Sequence, residues 1–327
     1  MKIKKFDTKK KILIVGEIGN NHEGNYKNAK KLIDMAAKAG VDAVKFQTYK
    51  TEKFISKIDQ KNFKKFKKFE LCYDQFKKLK VYANKKKLLF ISTPLDLDSA
   101  AFLINNADAI KIASSDNNFS QLHKKILASK KPLIVSTGFL NSQEISKLIK
   151  NLVKIRKSNI AIMHCIASYP TEENQVNMLS IKNIKDNSAI QSGYSDHTLG
   201  VEACLCAASL GARVIEKHIT LNKNFSKFRD HKISSDFKEL KQLVTQIRKI
   251  ESILGKKFKK VQKSEKQILK IVRRKPYASR KILKNEKFSE KNLNFLRSTQ
   301  LAKKIDINKL INKRSKQIFE IDQIVDY

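Results

Sequence analysis

The chain has 327 residues, enough for one large domain that buries a substantial core and a small second one. Apolar residues make up 41% and never run for about 18 positions, so nothing in the sequence reads as a membrane-spanning helix. The formal charge is +38, from 69 Lys and Arg against 31 Asp and Glu. The lysines are spread over nearly every helical stretch, with no aromatic-interleaved stripe, which reads as solvated surface rather than a nucleic-acid interface.

In chain order, the opening MKIKKFDTKKK is basic like a secretory leader, but the apolar stretch after it is short and carries Glu17, and it scans better as a strand. Eight short β-branched runs follow, at 12–17, 41–47, 88–93, 108–114, 132–137, 160–165, 189–195 and 213–218. Helical periodicity fills about 25–39, 74–87, 96–105, 119–130, 141–157, 177–186, 199–210 and 236–253. Asn25 is placed to cap the first helix and Gly40 to end it; Gly211 ends the 199–210 helix in the same way. Eight strand–helix units predict a closed (β/α)8 barrel of the TIM type over 1–254. Residues 255–276 read as a Lys-rich linker containing a helix, and 277–327 as a small β-rich domain expected to pack against a barrel, that of a partner subunit included. Cys72, Cys165, Cys204 and Cys206 lack metal-finger spacing and read as buried free thiols of a reducing, cytoplasmic protein.

In such a barrel the chemistry lies at the carboxyl ends of the strands. Those ends carry Glu17, Lys45, Gln47, Thr93, Lys111, Ser114, Ser136, His164, Ser195, His197 and His218. His197 and His218 follow neighbouring strands, which suits two imidazole ligands on one divalent cation. His22 lies in the first loop near Glu17, His231 in the last, and His123 reads as a surface residue. Lys45 and Lys111, with Ser114, Ser136, Thr137 and Ser195 near them, suit a phosphate or carboxylate ligand. The other use of such a lysine is an internal ion pair, for example Lys45 with Glu17. Glu17, Gln47, Asp116, Tyr169, Asp196 and Asp230 supply acid, base and hydroxyl-recognition groups, while Asp96 and Asp98 read as helix-start residues.

Taken together, EIGNNHEG (17–24), VKFQT (44–48), STP (92–94), KIAS (111–114), STG (136–138), HCIASYPT (164–171), YSDHT (194–198), IEKHIT (215–220) and RDHKIS (229–234) resemble the sialic acid (N-acetylneuraminate) synthase family. The stretch from RRKPYASRKI to QIV resembles that family's antifreeze-protein-like (β-clip) domain. The resemblance implies condensation of phosphoenolpyruvate with an N-acylated mannosamine-type sugar, giving a nine-carbon 2-keto acid and phosphate; legionaminic and pseudaminic acid synthases are the near alternatives. It implies a divalent metal on His197 and His218, manganese first, with magnesium or cobalt as alternatives. Lys45, Thr93, Lys111, Ser114, Ser136 and Ser195 would bind phosphoenolpyruvate, with Glu17 beside the reacting carbons. Gln47, Tyr169 and Asp230 would hold the sugar, and Arg297 would reach from the small domain into the other subunit's site, making a domain-swapped homodimer. The chain departs from the pattern at Ile166 and Ala167, where the family has Thr and then Asn or Ser, and at Ser298, where Arg297 is usually followed by proline.

Overall fold

A computed structural model of the protein describes residues 1–156, 158–186, 190–299 and 307–326. The chain divides into two compact units, Met1–Gly255 and Lys256–Tyr327.

Eight parallel strands close the first unit into a barrel in sequence order. They are β1 (Leu13–Gly19), β2 (Ala43–Thr48), β3 (Leu89–Pro94), β4 (Ala109–Ile112), β5 (Leu133–Ser136), β6 (Ile160–Cys165), β7 (Gln191–Asp196) and β8 (Val214–His218), with β8 paired to β1. Each coincides with one of the eight β-branched runs. The crossovers are helical: α1 (Tyr26–Ala39), α2 (Thr51–Phe54), α3 (Gln60–Phe69), α4 (Tyr73–Lys85), α5 (Leu97–Asn106), α6 (Ser120–Ala128), α7 (Ser142–Ile155), α8 (Ser180–Asp186), α9 (Glu202–Ser209), α10 (Asp230–Ile233) and α11 (Phe237–Leu254).

Local chemistry sets the ends of these helices. The Asn25 side chain accepts from the backbone N–H groups of Lys27 and Asn28, and Gly40 closes α1 at φ 90°, a left-handed conformation that favours glycine. Asn141 and Glu144 form a capping box at the start of α7. Asp96 caps α5 through Ser99 N–H at 2.8 Å, as its position in the sequence suggests. The segment between β2 and α4 holds α2 and α3, which the periodicity of the sequence did not predict; the lysine run at 60–68 lies in α3.

Apolar side chains fill two layers. One lies between strands and helices and includes Leu32, Phe46, Phe90, Leu103, Ile215 and Leu243. The other fills the lower barrel interior with Leu13, Val15, Ala43, Ile91, Ile134 and Val214, together with Met1 and Ile3 from a short amino-terminal hairpin, Lys2–Ile3 with Phe6–Asp7. Met1 and Ile3 thus pack into the base of the barrel. Among the described residues, no helix is long and apolar enough to cross a membrane. Cys165 and Cys204 are buried as expected, whereas Cys72 and Cys206 are exposed; all four are free.

The second unit holds α12 (Lys263–Val272), strand β9 (Lys275–Ala278) antiparallel to β10 (Leu293–Leu296), and α13 (Ile307–Leu310). Isolated bridges Tyr277↔Ile324, Ile282↔Phe319 and Lys287↔Arg314 add to this β-rich pattern. Ala278, Ile282, Phe288, Leu293, Leu310, Phe319 and Val325 form its small core.

Candidate active site

A cavity of ≈ 1090 Å³ opens at the carboxyl ends of the barrel strands. Twelve of the sequence-selected residues line it: Glu17, Lys45, Gln47, Thr93, Lys111, Ser114, Ser136, Tyr169, Ser195, His197, His218 and Asp230. Strand register explains the gathering, since Glu17 pairs with Lys45, Gln47 with Thr93, Cys165 with Ser195, Ser195 with Glu216, and His218 with Glu17.

The floor is a buried layer of alternating charge. Lys45 Nζ lies 2.9 Å from Glu17 Oε1 and 3.7 Å from Glu216 Oε1, and donates to Thr93 Oγ1 at 3.2 Å. Lys111 Nζ lies 2.5 Å from Glu216 Oε1 and 3.3 Å from Ser195 Oγ, which itself donates to the same Glu216 oxygen at 3.0 Å. The internal ion pair considered from the sequence is therefore present, within a four-charge network. Burial pushes the Glu17 carboxyl up to about 7 against the pull of Lys45. Burial also acts to raise Glu216, but the Lys111 and Lys45 ammoniums outweigh it and hold that carboxyl down at about 2. Glu17 Oε2, Glu216 Oε2 and Ser136 Oγ are buried without a partner among the described residues, leaving hydrogen-bonding capacity for a polar ligand.

Glu216 was not among the residues selected from the sequence. The signal was there: in EKH, positions 216 and 218 fall on the same face of a strand. Gly138, in the STG turn after β5, donates from its N–H to Ser114 Oγ at 3.0 Å. A Cβ there would stand 2.7 Å from that oxygen, so the turn requires glycine.

The imidazoles of His197 and His218 have ring centroids 5.5 Å apart. Burial depresses both, His197 to about 4 and His218 well below the usual histidine range, so both are neutral. His197 Nδ1 donates to Ile166 O at 2.8 Å, which leaves the lone pair on Nε2. Nδ1 of His218 is buried with no partner among the described residues. Two neutral imidazoles, one with an orphaned nitrogen, fit a cation ligand pair. No group of three His, Cys, Asp or Glu suited to a metal occurs among the described residues.

On the other flank, Tyr169 lies against the His197 ring with centroids 4.0 Å apart, and the Arg229 guanidinium sits 4.4 Å over the Tyr169 ring. Asp230 accepts from Arg229 Nε at 3.2 Å. Gln47 Oε1 accepts from Asn20 Nδ2 at 2.7 Å. Helix α3 contributes Lys64, Lys65, Phe66, Lys68 and Phe69 to the lining, so part of a lysine run read as solvated borders the cavity.

Other candidates lie elsewhere. Asp196 faces outward from β7 and pairs with Lys217, and so supplies no acid to the cavity. Asp116 lies in the turn after β4, its carboxyl raised to about 6 by burial. His231 bonds Thr220 Oγ1 at 2.7 Å and Glu23 at 3.3 Å. His164 stacks on Tyr194, with Nε2 2.6 Å from Val176 O. His123 is buried, contrary to the expectation of a surface residue, because its Nε2 reaches back 3.1 Å to Asp116 O. Arg297 lies in the second unit, exposed just past β10.

The sequence profile of the NeuB family matches residues 32–259. The chain belongs to the NeuB family. Over 332 residues it is 37% identical to the N,N'-diacetyllegionaminic acid synthase of Campylobacter jejuni, covering 97% of this chain and 99% of that protein. It is 35% identical over 313 residues to the pseudaminic acid synthase of the same organism, covering 91% and 90%. Among solved structures, the N-acetylneuraminic acid (sialic acid) synthetase of Leptospira borgpetersenii, in complex with citrate, superposes with a TM-score of 0.75 at 33% identity, covering 79% of this chain and 90% of that one.

Proposed function

We propose that this NeuB-family chain condenses phosphoenolpyruvate with an N-acylated six-carbon amino sugar, giving a nine-carbon 2-keto sugar acid and phosphate. The observation that carries the reading is one cavity holding two buried ammoniums ringed by hydroxyls and, within it, a pair of neutral histidines. In the reaction, C3 of the enol phosphate bonds to the sugar's aldehyde carbon, a water oxygen adds at C2, and phosphate leaves.

Lys45 and Lys111, with Thr93, Ser114, Ser136 and Ser195, hold the carboxylate and phosphate of phosphoenolpyruvate by charge-assisted bonds. An incoming trianion competes with Glu17 and Glu216 for the two ammoniums, and a Glu17 that titrates near neutrality yields Lys45 at little cost. Glu17 then stands beside the reacting carbons as a proton-transfer or water-orienting group. Gln47, Tyr169 and Asp230 bind the sugar, and Arg297 reaches the N-acyl group from the small domain of a partner subunit in a domain-swapped homodimer. In this reading 255–276 is the linker and 277–327 the antifreeze-like cap.

Metal dependence is general among NeuB synthases. His197 and His218 are the residues that would hold a divalent cation here, manganese first, and it would supply a Lewis acid for the sugar's carbonyl oxygen. Within the amino-sugar class, the nearly full-length likeness to a diacetyllegionaminic acid synthase favours a 2,4-diacetamido-trideoxyhexose over N-acetylmannosamine.

Phosphate release from phosphoenolpyruvate, measured with each candidate sugar with and without Mn²⁺, tests all of this. Release only with an N-acylated amino sugar, lost on chelation, is the expected result. No release with any acceptor would overturn the proposal.

A further inference from the structure

On the outer side of the barrel wall, behind the two histidines, lies a second charged pair that the proposed reaction does not use. Alternation along β7 and β8 turns Ser195 and Glu216 toward the cavity and Asp196 and Lys217 away from it. Lys217 Nζ lies 2.6 Å from Asp196 Oδ2, and neither side chain is more than 1% exposed. Stability alone is a weak reason to keep such a pair, because apolar residues of similar volume hold a core as well or better.

Its geometry supplies a different reason. The same ammonium also donates to Thr198 O at 2.5 Å. Lys217 thus grips the residues on both sides of His197, while it is itself the residue before His218. Register reinforces this, with Lys217 opposite Asp196 across the β7–β8 ladder. The Asp196 carboxylate is fixed in turn by Tyr194 Oη at 3.0 Å, by Thr198 N and Oγ1 at 2.9 Å each, and by Cys204 Sγ at 3.3 Å. Every acceptor site on that carboxylate is occupied, so it has little freedom to move.

We propose that Lys217 and Asp196 are positioning residues for the His197–His218 pair, fixing the spacing of the two imidazoles and through it the affinity for a divalent cation. This rests on the metal reading given above. Outer residues that orient ligands in this way typically govern affinity by 10- to 100-fold.

Mn²⁺ binding to the full-length, metal-stripped protein, followed through the EPR signal of free Mn²⁺, tests this without turnover. In Lys217→Met the Kd for Mn²⁺ rises by roughly 10- to 100-fold. The double variant Asp196→Asn/Lys217→Met leaves no unpaired buried charge and shows the same loss. Tyr194→Phe removes one donor to the carboxylate, keeps both charges and the ring, and weakens binding by about threefold. Wild-type Mn²⁺ affinity in the double variant and in Tyr194→Phe, with only the melting temperature lowered, would overturn the inference and leave the pair a structural one. A wild-type protein that binds no Mn²⁺, or binding that survives His197→Ala/His218→Ala, would overturn the metal reading itself.

Discussion

At the base of the barrel the inward positions are Val15, Ala43, Ile91, Ala109, Ile134, Met163 and Val214, all fully buried. Two residues further along the same strands, on the same face, they become Glu17, Lys45, Thr93, Lys111, Ser136, Cys165 and Glu216. A rise of about 6.6 Å separates the two layers, and across it the interior changes from wholly apolar to almost wholly polar. Backbone, hydrogen-bond ladder and degree of burial are common to both. What differs is the cost each layer carries: the lower one buries apolar area and gains from it, the upper one buries four charges that satisfy one another only in part. The lower layer therefore reads as the source of stability and the upper as a site held in place by it.

The largest expected effect separates the two directly. Lys111→Met removes one of the two buried ammoniums from the upper layer, and kcat/KM for phosphoenolpyruvate should fall on the order of 10³-fold, as when a preorganised charge donor is lost. Steady-state kinetics with phosphoenolpyruvate varied would show it. Retention of more than a tenth of the activity would place anion binding elsewhere. One layer down, Ile134→Ala should cost about 3 kcal/mol of unfolding free energy through lost burial and a cavity. The folded fraction should keep kcat and KM within about twofold, because a residue at the base touches no reacting group. A change in KM as large as that of the lysine variant would erase the distinction between the layers.

The same period of two shows how far the sequence could be read. The eight strands were legible because each is a short β-branched run between helical stretches, and strand ends with polar residues marked the cavity wall. Glu216 escaped because attention to strand ends stops at His218, whereas stepping back two residues along the inward face reaches it, as it reaches Lys45 from Gln47. The two helices between β2 and α4 were hidden by lysine: the run at 60–68 looks like solvated charge, yet Phe63, Phe66 and Phe69 recur every three residues, and two of them meet the cavity or its rim. His123 could not be placed, since its partner is a backbone carbonyl seven residues away, which carries no side-chain signature. The charge that dominates the opening MKIKK hides two apolar positions, Met1 and Ile3, that reach the base of the barrel.

The smallest effect concerns pH. Several buried titratable side chains lie in the upper half of the barrel and its loops, and His22 isolates one of them. Its Nδ1 accepts from Gly24 N–H at 3.0 Å, its ring lies 6.0 Å from that of Phe46, and burial holds it down at about 3. Above the unfolded value near 6.5 both states are neutral and His22 contributes nothing to pH dependence. As pH falls below 6.5, the unfolded chain takes up a proton that the folded one refuses until about 3, so stability is lost across that window. At 1.36 kcal/mol per unit, the loss between pH 6.5 and 5 is about 2 kcal/mol. His22→Asn keeps an acceptor for Gly24 N–H and does not titrate. Urea unfolding of both proteins at pH 7 and pH 5 should therefore find the variant gaining about 2 kcal/mol on the wild type at the lower pH. Identical slopes for the two would mean that this imidazole takes up its proton in the folded protein as readily as in water, and that burial above the apolar layer carries no electrostatic cost at this loop.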